Sequence, residues 1–394
     1  MFLDCLTCDQ EFLRAEITYV DFVRDRRDAR VHVLVTSQAA GGGTEFTLAF
    51  IGQEESTATN LTLRYVSSQT DTADEVRRAI ARRLELGLAP YLAGTPLADH
   101  VEITRVGAAT EPSVRSRPEH DPWRFWVFRT SASATLDREQ SQRSFSASGA
   151  LSADRTTEAW KVRLNARSSY RNDEFDFENS ERFTNTTRNW DSTMLAVRSV
   201  GDHWGVGMGG SAVSSTFLNQ DRTFRLAPAV EFNVFPYAQS TRRQLTFTYS
   251  IGANHFDYEE RTIFDKTSEL LTDQTATVSL NLRQPWGSTS VSVEGAQFLE
   301  DPQKFRIVGF ADVEFRVFRG FSLEVIGSTS IIRDQVFLPR GRASPEEVLV
   351  RRRQLATGFA HSLFLGVSYT FGSIFNNVVN SRFAGSSGGV VRRF

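Results

Sequence analysis

From position 123 onward, apolar and polar residues alternate along the chain in long segments separated by polar turns. The segment 276–283, for example, reads Ala-Thr-Val-Ser-Leu-Asn-Leu-Arg. Successive side chains of an extended strand point to opposite faces, so this pattern gives one apolar and one polar face. Several segments reach about ten residues or more, whereas strands of globular proteins typically have about 5–6 residues and membrane-spanning strands need about 9–11. The pattern therefore predicts membrane-spanning β-strands.

Twelve segments of this kind can be counted. They cover residues 124–135, 143–153, 158–169, 187–199, 204–217, 223–234, 243–257, 273–284, 288–298, 304–317, 321–333 and 357–371. Every second link between them is short, while the others include the longest, 172–189, 259–273 and 338–355. An even strand count with alternating short and long connections is typical of antiparallel outer-membrane barrels. Pro228 disturbs the pattern, because it costs a hydrogen bond inside a predicted strand.

The last segment carries a further signal. Between Leu363 and Phe371 one face is wholly apolar, and Gly366 is followed three and five residues later by the aromatics Tyr369 and Phe371. This resembles the closing strand of bacterial outer-membrane β-barrel proteins, and the resemblance covers about 250 of the 394 residues. It implies a barrel at 123–372 in contact with outer-membrane lipid and the barrel assembly machinery, with 373–394 as a C-terminal periplasmic tail.

Residues 1–106 have a different pattern, which predicts a small α+β domain. Strands are predicted at 30–37, 45–51, 61–66 and 101–106, and residues 9–25 are compatible with a helix or with an extended end. The clearest helix is Thr72 to Leu88, with Thr72 and Glu75 as a capping box. A linker with three prolines at 107–122 marks the domain boundary. On the barrel interpretation this domain is periplasmic and can bind a periplasmic protein partner.

Composition narrows the classes of protein. A formal net charge of −2 with 23% charged residues does not indicate a nucleic-acid-binding protein. No run of about 18 apolar residues is present, so no transmembrane helix is predicted. The start Met1-Phe-Leu-Asp-Cys lacks the charged and apolar regions of a signal peptide. An outer-membrane protein needs one, so the barrel interpretation expects a mature or re-initiated N-terminus.

Cys5 and Cys8 are the only cysteines. Their spacing is compatible with a redox or metal site, but no second pair or nearby histidine completes a zinc set. A small local disulfide in an oxidising compartment suits the pair better. We expect no metal and no cofactor.

On the barrel interpretation, charged residues of both signs face the lumen. The candidates are Lys161, Arg163, Arg167, Arg225, Glu231, Arg283, Glu294, Arg306, Asp312, Glu314, Arg316 and Glu324. Such a set can pair across strands and fill a closed structural barrel, or it can line a narrow polar channel. The predicted function is therefore a narrow channel or an envelope scaffold.

Two alternatives remain. A lipid hydrolase would need a nucleophile and a base, and His203, His255 and His361 lie in or beside predicted strands without an accompanying serine motif. We therefore expect no catalytic residues. The acidic segment 171–182 could bind a cation, although its carboxylates lack regular ligand spacing.

The second alternative to the barrel is a soluble β-rich binding or surface protein, which would be purified without detergent.

Overall fold

The computed structural model describes residues 1–5, 7–40, 43–53, 60–68, 70–93, 95–96, 98, 121–176, 182–341 and 355–373. It contains a small N-terminal α+β domain and a twelve-stranded antiparallel sheet. The predicted fold class is confirmed in its mainly β character, its twelve antiparallel strands and the small α+β domain that precedes them. Among these residues, no helix is both long and apolar enough to span a membrane.

The N-terminal domain is a four-stranded sheet with two α-helices. Its elements are β1 (Phe2–Asp4), α1 (Gln10–Glu16), β2 (Val31–Ala40), β3 (Gly43–Gly52), β4 (Leu61–Ser67) and α2 (Ala73–Leu92), with a 3₁₀ turn at Arg26–Asp28. The strand order is β1-β2-β3-β4. β1 is parallel to β2, and the other pairs are antiparallel.

Helix α2 closes one face of this sheet. The predicted capping box is present, because Thr72 and Glu75 exchange hydrogen bonds with each other's backbone. Ile80 and Leu84 are buried in the core of the domain. Gly87 contacts the ring of Phe50 so closely that a Cβ there would displace the ring. A residue without a side chain therefore lets the helix approach the sheet.

The N-terminal predictions can be compared with the structure at both helices. Of the two alternatives for residues 9–25, the structure shows a helix of seven residues followed by a non-helical segment, because Ile17 leaves the helix and, with Phe22, enters the core. Helix α2 continues to Leu92, past the predicted end at Leu88, and includes Pro90. The predicted strand 101–106 and the linker up to residue 120 lie outside the described residues.

Every predicted segment of the second region overlaps one strand. The strands are β5 (Trp126–Arg138), β6 (Gln142–Thr156), β7 (Trp160–Asp176), β8 (Arg182–Val200), β9 (Trp204–Ser215), β10 (Gln220–Asn233), β11 (Arg243–Tyr258), β12 (Ser268–Gln284), β13 (Gly287–Phe298), β14 (Phe305–Phe318), β15 (Phe321–Ile332) and β16 (Phe359–Tyr369). Each strand pairs with the next one along the chain, from β5 to β16.

Two of the predicted long loops are wrong in extent. β7 and β8 occupy most of 172–189 and pair from Trp160↔Arg198 to Asp176↔Arg182. β12 begins at Ser268, inside the predicted loop 259–273. The extensions of β7 and β8 consist largely of polar residues, and the β12 extension places the adjacent Leu270 and Leu271 on opposite faces, so none of them shows the apolar alternation by which strands are recognised. Of the acidic segment 171–182, residues 171–176 therefore belong to β7, and 177–181 lie outside the described residues.

Register gives the sheet two chemically different faces. Arg225, Asn254 and Asp273 share one face, because they are hydrogen-bonded across β10, β11 and β12. We call this side the polar face and the opposite side the apolar face. Pro228 lies in the ladder with β9, whereas residues 227 and 228 are skipped in the ladder with β11 without a change of register. The missing amide of proline accounts for this gap.

The ends of the strands are not equivalent. The links 157–159, 201–203, 285–286 and 319–320 all lie at the end of the sheet that contacts the N-terminal domain. β5 and β16 are the outermost strands, and no ladder joins them among the described residues. Gly366 and Tyr369 lie in β16 and Phe371 follows it; β16 pairs with β15. Their role in closing the barrel stays a prediction.

Candidate functional site

The polar face of the sheet collects all the predicted lumen-facing residues. The cross-strand pairs from β6 to β16 place one parity of each strand on this face, and each candidate has that parity. These residues are Lys161, Arg163, Arg167, Arg225, Glu231, Arg283, Glu294, Arg306, Asp312, Glu314, Arg316 and Glu324. Because one register connects them, they form a single surface rather than scattered charges.

The best-connected charges on this surface are Arg225 and Asp273. The Arg225 guanidinium donates from Nε and Nη2 to the two Asp273 oxygens, at 2.8 and 2.7 Å. Asn254 donates to the same carboxylate at 2.9 Å. The intervening strand contributes Gly252 at this point, where a Cβ would lie 2.8 Å from Arg225 and 2.7 Å from Asp273. Glycine therefore lets a bidentate pair form across a strand.

Other predicted residues have local partners. Arg163 donates to Asp154 at 3.0 Å, and Arg306 donates to Asp334 at 3.2 Å. Glu231 accepts from Thr248 at 3.0 Å and from Tyr237, in the β10–β11 turn, at 2.6 Å. Burial and this carboxylate raise the pKa of Tyr237. Sequence reasoning missed Asp154 and Asp273, although each lies on the polar side of its strand.

The N-terminal domain docks onto one end of this face through Asp4. Arg316 donates to both Asp4 oxygens, at 2.6 and 2.9 Å. His32, on β2 and fully buried, lies 3.3 Å from Asp4 through Nε2. Burial alone would raise the pKa of Asp4, but the hydrogen bonds from Arg316 and His32 outweigh it and lower the pKa to about 2. Asp4 is therefore an ionised bridge between the two domains.

Further contacts fix the same interface. Asp25 accepts from the backbone amide of Gly320 at 3.0 Å. Arg319 donates to Asp28 at 2.7 Å. Both sheet residues belong to the β14–β15 turn, so the 3₁₀ segment of the N-terminal domain lies against that turn.

The N-terminal sheet is buried on both sides. Val33 and Leu48 face the helices, whereas Thr36 and Thr47 lie on the other side and are only 3% and 5% exposed. A cavity of about 370 Å³ separates residues 34–37 of β2 from polar-face residues of β12, β13 and β14. The second side of the domain is therefore covered by the twelve-stranded sheet.

A loop segment covers the opposite end of the polar face. Val336, Phe337 and Leu338 are buried against Phe256 and Leu271, which point to the polar side of their strands. The side chain of Asn219 donates to the carbonyl of Phe337 at 3.0 Å, and a bridge joins Thr262 to Pro339. We call residues 335–338 the loop cap. The polar face is therefore covered at one end by a domain and at the other by this loop.

The histidines considered for catalysis are dispersed. His203 bonds the carbonyl of Asn233, and His255 lies 3.3 Å from Asp257. His361, on the apolar face, lies 2.6 Å from the hydroxyl of Thr329 on the neighbouring strand. No serine hydroxyl is bonded to these three rings in the part of the chain that the structure describes. The geometry therefore brings together no serine–histidine pair there.

Cys5 and Cys8 are joined by a disulfide. It connects the end of β1, next to Asp4, with Asp9, whose carboxylate caps α1. Within the described ranges, no group of three or more histidine, cysteine or acidic side chains is close enough to hold a metal ion.

Comparisons with known proteins yield limited similarity. No protein-family model matches the chain, and no curated protein matches it. Among solved structures, the translocator domain of autotransporter NalP from Neisseria meningitidis is 10% identical, over 62% of this chain and 81% of that one, with a TM-score of 0.21. The β domain of the Bordetella autotransporter BrkA is 10% identical, over 62% and 98%, with a TM-score of 0.26. Scores of this size carry no inference about mechanism or partners.

Proposed function

We propose that this chain is a β-barrel protein of the bacterial outer membrane, acting as an envelope scaffold or narrow channel. The N-terminal domain lies on the periplasmic side, where it can bind a protein partner, and it closes that end of the lumen. The loop cap closes the outer end. Insertion by the barrel assembly machinery and contact with outer-membrane lipid belong to the same proposal.

The observation that carries the proposal is the apolar face. Phe247 is 46% exposed, Val278 40%, Val293 49% and Ile307 41%, on consecutive strands. An exposed apolar surface that continues over so many strands far exceeds the patches found on soluble monomers. A bilayer is the environment that removes this surface from water while leaving the polar face inside.

A lumen lined by paired charges and closed at both ends favours a scaffold over an open pore. Arg225 with Asp273 and Arg163 with Asp154 connect neighbouring parts of the wall. The docked domain lies at one end of this face and the loop cap at the other. A channel function requires that both closures open.

The test is membrane insertion of the full chain. We expect the protein to require detergent for extraction and to migrate faster on cold gels than after boiling, because a folded barrel resists the denaturing detergent. A chain that partitions into the aqueous fraction without detergent and shows one migration position would instead be the soluble β-rich binding protein.

A further inference from the structure

A cleft rich in arginine lies where the N-terminal domain meets the β14–β15 turn. It has a volume of about 540 Å³ and is lined by Arg14, Arg24, Arg26, Arg27 and Arg316. We call these residues the arginine cleft. The carboxylates that line it are Asp4, Asp25 and Glu314. Positive charge therefore exceeds negative charge in the cleft.

The acids of the cleft are largely committed to other contacts. Asp4 binds Arg316 and His32. Asp25 accepts from the backbone amides of Arg27 and Gly320. Glu314 is the remaining carboxylate, and it stands on β14 two residues from Arg316. Asp4 and Asp25 therefore bind groups at the docking interface. They do not pair with the side chains of Arg24, Arg26 and Arg27, which we call the loop arginines.

The loop arginines lack such compensation. No carboxylate forms an ion pair with Arg24, Arg26 or Arg27 within the described part of the chain. Burial lowers the pKa of Arg14; the attraction of Glu11 opposes this effect, and a weaker repulsion from Arg24 adds to it. The Nε of Arg14 is buried without a hydrogen-bond partner. The Nη2 of Arg14 donates to Gln10 at 2.7 Å. Several guanidinium groups that line one cleft, one of them with an unused Nε donor, fit an anion with several acceptor oxygens.

The surroundings of the cleft indicate what carries that anion. Phe318 and Phe321 line it and stack on each other at 4.7 Å. Phe318 also contacts Tyr369, and Tyr369 contacts the 78% exposed Phe371. These rings lie at the strand ends, where aromatic residues of membrane proteins meet the headgroup region. On the proposed membrane insertion, the cleft lies at the level of lipid headgroups. Its sheet side joins the aromatic rings at the strand ends to the polar-face residues Glu314, Arg316, Ser322, Ser368 and Thr370.

We infer that the arginine cleft binds the anionic headgroup of a phospholipid in the periplasmic leaflet. Guanidinium groups of the N-terminal domain hold the phosphate, and the acyl chains lie along the aromatic rim of the barrel. The lipid thereby bridges the docked domain and the barrel wall. This inference rests on the proposed membrane insertion.

The experiment measures lipid preference directly. Full-length protein in non-ionic detergent is mixed with equimolar phosphatidylglycerol and phosphatidylcholine of identical acyl chains, and bound lipid is counted by native mass spectrometry. We expect preferential binding of phosphatidylglycerol. The variant R24Q/R26Q/R27Q should bind phosphatidylglycerol about tenfold or more weakly, because each basic residue near an anionic headgroup adds to the attraction between protein and lipid.

The matched control removes three arginines elsewhere on the same domain, as R64Q/R78Q/R82Q, and should keep the preference. Equal binding of the two lipids, or an equal loss in both variants, would overturn the inference. An excess of inorganic phosphate distinguishes a headgroup site from a site for free anions. Displacement of the lipid by phosphate at comparable concentration would overturn the lipid assignment.

Heat-modifiable migration of the same samples reports separately on membrane insertion. If all samples keep heat-modifiable migration and the preference for phosphatidylglycerol is absent, only the lipid site is overturned. If the native protein lacks it, the proposed function fails, and the lipid inference fails with it.

Discussion

Asp4 is the residue on which the arrangement of the two domains depends most directly. Its side chain is 11% exposed, and the side chain of Arg316 is 24% exposed, so their attraction is screened less than that of a surface pair. Removing one partner of such a pair leaves the other charge partly buried, which costs more than the intact pair contributes. His32 supports the same carboxylate from the N-terminal side.

The low pKa of Asp4 makes docking dependent on pH. The pKa falls from an ordinary 3.8 to about 2, which corresponds to a stabilisation on the order of 2 kcal/mol. A depressed pKa contributes stability that is complete above about pH 4 and is lost as the pH falls toward 2. We expect nitroxide labels at the exposed positions Arg64 and Arg242 to give one narrow distance distribution at neutral pH and a broad one near pH 2.

The variant Arg316→Gln separates this effect from general acid unfolding. Without the guanidinium, burial raises the pKa of Asp4, so undocking should begin at a higher pH than in the native protein. Asp4→Asn removes the titrating group and should abolish the pH step. The same midpoint in all three proteins would refute an Asp4-dependent interface.

The contact between Asp4 and Arg316 also shows what could not be predicted from the sequence at the scale of single residues. The charges on the polar face follow from strand alternation, since each occupies a defined parity. The pairing of Asp4 with Arg316 joins residues separated by 312 positions. No local periodicity encodes a contact between two separate domains, so neither the docking interface nor the role of His32 could be predicted.

At the scale of elements, the alternation of apolar and polar residues was sufficient for strand number and direction. It worked because the twelve-stranded sheet has one apolar and one polar face, so each strand alternates between the two. It underestimated β7 and β8, whose distal parts carry Thr, Asn, Asp and Arg on both faces. These distal parts are held by the backbone ladder and by contacts such as Thr186 with Asn172 and Phe175 with Phe183, and they leave no regular hydrophobic period.

Adjacent residues of β12 provide a matched test of the two faces. Val278 points to the apolar face and is 40% exposed, whereas Thr277 points to the polar face beside Glu294, at 3.4 Å. In phospholipid vesicles, Val278→Arg should destabilise the fold by about 2–4 kcal/mol if the residue lies near the bilayer centre. Thr277→Arg should change stability by less than about 1 kcal/mol, because the new charge faces Glu294.

Unfolding by urea in vesicles measures both free energies. A soluble protein would tolerate both changes similarly, since both side chains would meet water. A small cost for Val278→Arg in vesicles would therefore contradict the assignment of the apolar face to lipid.

At the scale of the whole molecule, the polar face is covered from two directions by unrelated segments. The N-terminal domain covers one end with ionic contacts, which respond to pH and salt. The loop cap covers the other with Val336, Phe337 and Leu338, which are buried by the hydrophobic effect and are not weakened when salt screens charges. Because the two closures use different interactions, one condition does not release both.

On the proposed barrel, the two closures lie in series along one lumen, and this predicts how conductance combines. The variant D4N/R319Q weakens the docked domain, and F337S/L338S weakens the loop cap. In planar bilayers we expect little conductance from the native protein or from either variant, because the remaining closure still blocks the path. The combined variant should conduct in discrete steps, provided that it retains heat-modifiable migration. Conductance from one variant alone would show that the other closure is no barrier, whereas a folded combined variant without conductance would identify the barrel as a scaffold.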